Sequence, residues 1–163
     1  MRHVLSVLVS NQAGVLSRVT GLFSRRGYNI DSLSVGTTED PRWSRITVAV
    51  HGDEAVIDQI QKQVAKLEDV VGIVELPPEK ALYRELCFVK VRADAHLRSE
   101  VVNVVNIFRA NIIDVSPETI TVELTGDQDK LAAFIELVQP YGILEIVRTG
   151  LAGIGRGAVT LTA

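Results

Sequence analysis

The sequence predicts an α+β protein made of two tandem ferredoxin-like βαββαβ domains. Apolar residues alternate between strand-like and helical spacing, and this alternation follows the order β-α-β-β-α-β. The same order occurs twice, so that Gly52-Asp53 in the first half corresponds to Gly126-Asp127 in the second. Pro77-Pro78 separates the halves, because consecutive prolines cannot continue a sheet ladder or a helix interior.

The first half contains each of the six elements in turn. An apolar run at 4–9 is typical of a strand, and the polar residues at 10–14 favour a turn. A helical face follows, and Arg25-Arg26-Gly27 is a typical helix end. Strands at 28–36 and 46–50 enclose a polar loop, a second helix begins at Gly52-Asp53-Glu54, and a strand covers 70–76. The residues that share the first helical face are Val15, Leu16, Val19, Leu22 and Phe23.

The second half repeats this series with a shorter hairpin. Its predicted strands are 85–93, 112–115, 120–124 and 143–148, and its helices are 99–108 and the segment after Gly126-Asp127. The predicted domains are therefore 1–76 and 81–163, with 77–80 as the linker. Each half has a small core and an open sheet face, so we expect oligomerisation or docking onto a partner to cover it.

Composition excludes several classes of function. The 163 residues carry 17 basic and 20 acidic side chains, and a net charge of −3 gives no electrostatic reason to expect nucleic acid, whose phosphates require a concentrated basic face. No apolar stretch approaches the roughly 18 residues that cross a membrane. Cys87 is the single cysteine and cannot form an internal disulfide, so we expect a cytoplasmic protein.

The loop from Asn11 to Gly14 is a candidate ligand site. It lies where the first strand leads into the first helix, and free backbone N–H groups at a helix N-terminus suit a carboxylate. The alternative is an ordinary turn with a helix cap. The corresponding loop of the second half, Asp94-Ala95-His96-Leu97, carries an acid that would repel an anion. The difference favours a special task for the first loop.

A second candidate segment, Gly27 to Ser32, follows the first helix. Asn29 within it offers a hydrogen-bond donor and an acceptor. Its alternative is a helix-ending glycine followed by an ordinary strand.

The sequence gives no support for a metal site, a catalytic site or a phosphate loop. His3, His51 and His96 are far apart, so no spacing indicates a metal site, and no nucleophile is paired with a base to give a catalytic residue. We expect Cys87 to be an inert core thiol. The glycines from 150 to 157 are similar to a phosphate loop, but only six residues follow, too few for the required helix. A flexible or partner-docking tail is the expectation there.

The candidate residues together resemble the regulatory small subunits of acetolactate synthase, especially the valine-sensitive isozyme III type. The resemblance covers essentially the whole chain, and Ser10 departs from it, because relatives often carry an acid at that position. The motifs that carry it are Asn11-x-x-Gly14-x-Leu16-Ser17-Arg18, Gly27-Tyr28-Asn29-Ile30-x-Ser32, Ser44-Arg45, Ile112-Ile113-Asp114-Val115 and Arg148-Thr149-Gly150.

The resemblance implies a non-catalytic regulator of branched-chain amino acid biosynthesis with an N-terminal ACT domain. Such a subunit activates the catalytic large subunit and confers allosteric feedback inhibition by valine, with leucine or isoleucine as weaker effectors. ACT domains of two chains would pair into a homodimer. Thiamine diphosphate, magnesium and FAD would bind to the large subunit and no cofactor to this chain. The implied effector-binding residues are Asn11, Gly14, Val15 and Leu16 from one chain and Asn29 and Ile30 from the other.

Two alternatives stand beside this interpretation. A free-standing tandem-ACT sensor, acting as a transcription or metabolic regulator, would also bind an amino acid. Co-purification with a thiamine-diphosphate enzyme, and a gain in its turnover, would distinguish the two. An enzyme in its own right would form product without a partner.

Overall fold

The computed structural model describes residues 1–163, and it confirms the predicted α+β class with two antiparallel sheets and four α-helices. Compact packing divides the chain into a first unit, residues 1–83 with 151–163, and a second unit, residues 84–150. The elements of the first half are β1 (Arg2–Ser10), α1 (Val15–Arg25), β2 (Ile30–Thr37), β3 (Trp43–His51), α2 (Glu54–Ala65) and β4 (Val70–Glu75). Those of the second half are β5 (Ala81–Arg92), α3 (Arg98–Ile107), β6 (Asn111–Val115), β7 (Thr119–Gly126), α4 (Gln128–Val138), β8 (Ile143–Arg148) and β9 (Ala152–Gly155).

The first sheet has the strand order β2-β3-β1-β4, so β2 and β4 are its edges. Side chains of β1 alternate between the two faces of this sheet. Leu5, Val7 and Val9 point toward the helices, where they pack in one cluster with residues of α1 and α2. The helix residues of this cluster are Val15, Val19, Phe23, Ile57, Ile60 and Val64.

The second sheet has the order β6-β7-β5-β8, and β9 pairs with β5 outside this path. Its core is built in the same way, from inward residues of β5 and β7 against α3 and α4. Phe108 and Phe134 meet in this core edge to face, with ring centroids 5.5 Å apart. Cys87 lies fully buried in the same cluster, as expected of a core thiol.

Aspartates begin two of the helices, as their positions in the sequence predict. The Asp53 carboxylate accepts a hydrogen bond from the Val56 amide, and the Asp127 carboxylate accepts one from the Lys130 amide. Both carboxylates therefore satisfy an N–H group that the first helical turn leaves without a partner.

The C-terminal tail, residues 151–163, differs from the sequence-based expectation. It was expected to be flexible or partner-docking and to belong with residues 81–150, but it packs in the first unit. Leu151 is buried with Val4 and Ala49, which lie on the sheet face opposite the helices, and with Leu76 and Ala81. The tail thus covers part of the face that a partner was expected to cover, because its apolar side chains gain burial there.

No helix in the chain combines the length and the hydropathy required to cross a membrane.

Candidate functional site

The turn between β1 and α1 leaves the start of α1 without a side-chain cap. Gly14 is the N-cap residue, its φ of 85° lies in the left-handed region, and it has no side chain to accept a hydrogen bond. A Cβ at Gly14 would lie 3.1 Å from Arg18 Nη1, which is tighter than ordinary contact. Glycine therefore suits both the backbone and the space. The Val15 amide donates to the Gln12 carbonyl at 3.4 Å, and the amides of Leu16 and Ser17 remain open to a ligand.

The matching turn of the second unit is already occupied by a protein carboxylate. Asp94 Oδ1 accepts hydrogen bonds from the amides of His96 and Leu97, at 3.0 and 3.1 Å. The two loops therefore differ in structure as they do in sequence. Only the loop of the first unit presents helix-start amides beside a neutral carboxamide, that of Asn11.

Arg18 adds a positive charge to this helix start. Its Nη1 lies near Gly14, and its Nε donates to Asp69 Oδ2 at 2.7 Å. The guanidinium is thus held in place by Asp69 while it faces the turn. Sequence reasoning did not single out Arg18 as a site residue. The available signal was its spacing, because residues i and i+4 lie on one helical face.

Asn11 is tied to the loop between β2 and β3. Its backbone N–H donates to the Arg42 carbonyl at 2.8 Å, and its side-chain Nδ2 donates to the Pro41 carbonyl at 2.9 Å. One Nδ2 hydrogen and the Oδ1 oxygen remain for a ligand. The side chain is exposed, so a ligand can reach both groups.

An ion pair stiffens the loop that holds Asn11. Arg42 Nη2 lies 2.6 Å from Asp40 Oδ2, and the Arg42 guanidinium stacks over Trp43. The hydrogen bond from the Arg42 side chain lowers the pKa of Asp40 from 3.8 to about 2. The carboxylate therefore stays charged, and the pair intact, across the physiological pH range.

Val15 and Leu16 contribute to the helix start in different ways. The Val15 side chain is buried in the core, and its backbone N–H already donates to the Gln12 carbonyl at 3.4 Å. The Leu16 side chain is 41% exposed beside the open amides. Leu16 can therefore provide an apolar contact for an aliphatic ligand.

Asn29 and Ile30 lie far from this turn in the same chain. They follow the opposite end of α1, which is about 16 Å long. Across the sheet, Ile30 pairs with Val50 at one end of β3, whereas Ser10 pairs with Trp43 at the other, about 20 Å away. A single chain thus brings together four of the six predicted effector-binding residues and keeps Asn29 and Ile30 apart from them.

Titratable groups elsewhere in the chain do not cluster as metal ligands. No group of three or more His, Cys, Asp or Glu side chains is placed to hold a metal ion. His51 at the end of β3 contacts the Asp31 carboxylate and is largely exposed. Burial raises the pKa of the Cys87 thiol, which disfavours the reactive thiolate.

Comparison with known proteins gives one consistent result. A family model described as the small subunit of acetolactate synthase matches residues 84–157, and one described as an AHAS small subunit-like ACT domain matches residues 5–72. The acetolactate synthase small subunit of Mycobacterium bovis is 51% identical over 155 residues, covering 95% of this chain and 92% of that protein.

Further relatives agree over the same length. The acetolactate synthase small subunit of Mycolicibacterium smegmatis is 48% identical, covering 95% of this chain and 91% of its own. The crystal structure of the acetolactate synthase small subunit from Thermotoga maritima superposes with a TM-score of 0.91 at 42% identity, covering 98% of this chain and 99% of that one.

Proposed function

The chain belongs to the acetolactate synthase small-subunit family, and from that premise we propose that it activates the catalytic large subunit and makes it sensitive to valine. Membership of the family supports a regulatory subunit of that enzyme. The activation, the identity of the effector and the pairing of two chains are the parts that we propose.

The observation that carries the proposal is the uncapped start of α1. A valine carboxylate would accept hydrogen bonds from the first-turn amides, next to the positive end of the helix dipole and the Arg18 guanidinium. The valine ammonium would donate to Asn11 Oδ1, and its isopropyl group would contact the exposed Leu16 side chain. Each part of an aliphatic zwitterion would therefore have a partner of matching chemistry.

A second chain can complete the site through the free edge of β2. Thr37 pairs with Ser44, and Ser44 pairs with Val9, so the Thr37 end of β2 lies on the same side as the Asn11 turn. If two β2 strands pair antiparallel, the Ile30 end of one strand meets the Thr37 end of the other. Asn29 and Ile30 of a second copy would then approach Asn11 and Gly14 of the first.

Valine bound at such a site would act on the large subunit through the complex that the small subunits form with it. Valine must bind one state of the complex better than the other, and couplings of this kind are typically about 1–3 kcal/mol. A pocket that fits valine discriminates against one additional methylene by only about 1–3 kcal/mol. We therefore expect leucine and isoleucine to act weakly at the same site.

The cofactors of the reaction belong to the partner in this proposal. We expect thiamine diphosphate, magnesium and FAD to bind to the large subunit, and this chain to supply no catalytic residue. The homodimer of this chain and the large subunit would together form the regulated enzyme in the cytoplasm.

Reconstitution with the cognate large subunit tests the proposal. We expect the chain to raise acetolactate formation, valine to reverse that gain, and Asn29→Ala to weaken the valine effect while the activation persists. Asn103→Ala is the matched control, because Asn103 is also exposed but lies on α3 of the second unit. Unchanged turnover on adding the chain, together with retained valine binding, would instead favour the free-standing sensor.

A further inference from the structure

A cavity of about 660 Å³ lies between the C-terminal tail and the far edge of the first sheet. One wall is formed by β4 and the turn after it, from Val74 to Lys80, and the other by the tail from Ile154 to Thr162. All of its lining residues belong to the first unit. This volume lies within the range of about 300–1,000 Å³ that is usual for small-molecule sites.

The tail is anchored on both sides of the cavity. The Arg156 amide donates to the Lys80 carbonyl at 2.8 Å, and Arg45 Nη2 donates to the Leu161 carbonyl at 2.7 Å. Leu161 also lies directly over Gly72, where a Cβ would come within 3.0 Å of its side chain. The absence of a side chain at Gly72 therefore allows the tail to approach the sheet closely and to form the outer wall.

Most of the surface that lines the cavity is apolar, although charged residues also line it. The apolar part of a ligand would therefore lose contact with water when it enters the cavity. Removal of apolar surface from water is the main source of affinity in such pockets. The apolar lining residues are Val74, Leu76, Pro77, Ile154, Val159 and Leu161.

Arg45 supplies a cation to this apolar cavity. Its Nη1 donates to Ser6 Oγ at 2.8 Å, and its Nη2 donates to the Leu161 carbonyl, so two neutral acceptors orient the guanidinium. It forms no ion pair with a carboxylate. A guanidinium has five N–H donors, and three of them remain for a ligand. An unneutralised arginine in an apolar pocket favours a carboxylate, which accepts two such hydrogen bonds together.

The other charges around the cavity are balanced. Three cations, Arg45, Lys80 and Arg156, line it with three carboxylates, Glu39, Glu75 and Glu79, and Glu75 also lies 2.6 Å from His3 Nδ1. The preference for an anion therefore rests on the Arg45 guanidinium, which neutral acceptors orient.

We propose that this cavity is a second ligand site, which binds a small aliphatic monocarboxylate through Arg45 and the apolar side chains of β4 and the tail. The site shares no residue with the proposed valine site at the start of α1. The site also includes both Leu161 of the tail and Arg45 of β3, which are joined by a hydrogen bond. A bound ligand would therefore stabilise the arrangement in which the tail covers this sheet face.

The test is a titration of the full chain with 4-methylpentanoate, followed by amide NMR. The probe has a carboxylate and a branched aliphatic chain but no ammonium group. We expect saturable shifts at Arg45, Val74 and Leu161, and much smaller shifts with the uncharged 4-methylpentan-1-ol. Equal binding of the alcohol, or shifts that map elsewhere, would overturn the proposal.

Two variants test separately the contribution of the Arg45 charge and that of the cavity volume to binding. Arg45→Gln should weaken binding about tenfold to a hundredfold, since it removes a charge-assisted pair of hydrogen bonds. Val74→Phe should abolish binding by filling the space while leaving Arg45 and the tail anchor in place. Arg42→Gln is the matched control, because Arg42 is a nearby exposed arginine outside the cavity. Unchanged affinity in Arg45→Gln or in Val74→Phe would contradict the assignment.

The same spectra keep this proposal separate from the valine site. Valine added to a second sample should shift the amides at Gly14 to Leu16 and leave Val74 unaffected. Failure of that response counts against the valine site alone, and failure of the carboxylate titration counts against the tail cavity alone.

Discussion

Gly14 is the residue on which a ligand site at the start of α1 most depends. Its left-handed backbone and missing side chain leave the first-turn amides uncapped, in contrast to the aspartate-capped α2 and α4. Arg18 on the same face then provides the charge that an anion would meet.

Two substitutions at Gly14 distinguish charge from backbone strain. Gly14→Asp and Gly14→Asn each cost about 1 kcal/mol for a left-handed residue with a short polar side chain. We expect the aspartate to repel the valine carboxylate and weaken valine binding more than about tenfold, whereas the asparagine weakens it less. Calorimetric titration with valine measures both, and equal losses in the two variants would show that charge at this position is irrelevant.

Asp40 gives a prediction about pH. Its pKa in the folded chain, about 2, is below the ordinary value of 3.8, so its pairing stabilises the loop above about pH 4. That contribution is lost as the pH falls through about 2. Carboxyl NMR should show a midpoint near pH 2, and Arg42→Gln should raise it toward 3.8. A midpoint unchanged by Arg42→Gln, or shifted equally by the control Arg25→Gln, would contradict this pairing.

The sequence was informative about single residues where a residue type has one dominant use. Gly14 and Asn11 could be chosen because glycine and asparagine at a strand-to-helix turn have few roles. Arg18 could not be chosen, since an arginine on an exposed helix face is usually only solvated. Its proximity to Gly14 and its anchor on Asp69 depend on packing between distant segments.

Helices and strands were predictable where the spacing of apolar residues agrees with the residues that typically begin or end such elements. Asp53 and Asp127 mark the starts of α2 and α4, and Pro77-Pro78 follows β4. Strand β9 was missed, because four residues that include two glycines have little strand preference. Its pairing with β5 is a tertiary effect that no local pattern encodes.

The two aspartate caps allow a test at the scale of an element. Asp53→Ala and Asp127→Ala should each lower the free energy of unfolding by about 1 kcal/mol, because each leaves a helix amide without its acceptor. Denaturant unfolding measures the change. Asp58→Ala serves as the control, since Asp58 lies inside α2 in an exposed pair with Lys62. A cost in the control equal to that in the cap variants would remove the capping explanation.

At the scale of the whole molecule, the predicted site residues divide into two groups that one chain keeps apart. The sequence itself made Asn29 a candidate, but only resemblance to a family joined Asn29 and Ile30 with Asn11 in one site. Strand order provides the physical reason, because β2 is a free edge whose antiparallel pairing would join the two groups. No property of the isolated sequence could have indicated a site divided between two copies.

The edge of β2 can be tested against the opposite edge of the same sheet. Val35 on β2 and Val71 on β4 are similarly exposed, at 45% and 44%. Val35→Lys should separate the proposed dimer into monomers and remove valine binding, because pairing of the β2 strands would bring two like charges close together. Val71→Lys should leave both properties unchanged. Sedimentation measures the association, and a dimer that survives Val35→Lys but not Val71→Lys would place the interface at β4.

The shared site is tested most directly by a mixed dimer of Gly14→Asp chains and Asn29→Ala chains, isolated through two different tags. Each variant alone should lose tight valine binding, because both of its sites carry one altered residue. The mixed dimer should bind one valine with the affinity of the unaltered protein, because one site receives both intact halves and the other receives both substitutions. A mixed dimer that binds no valine tightly would contradict a site divided between two chains.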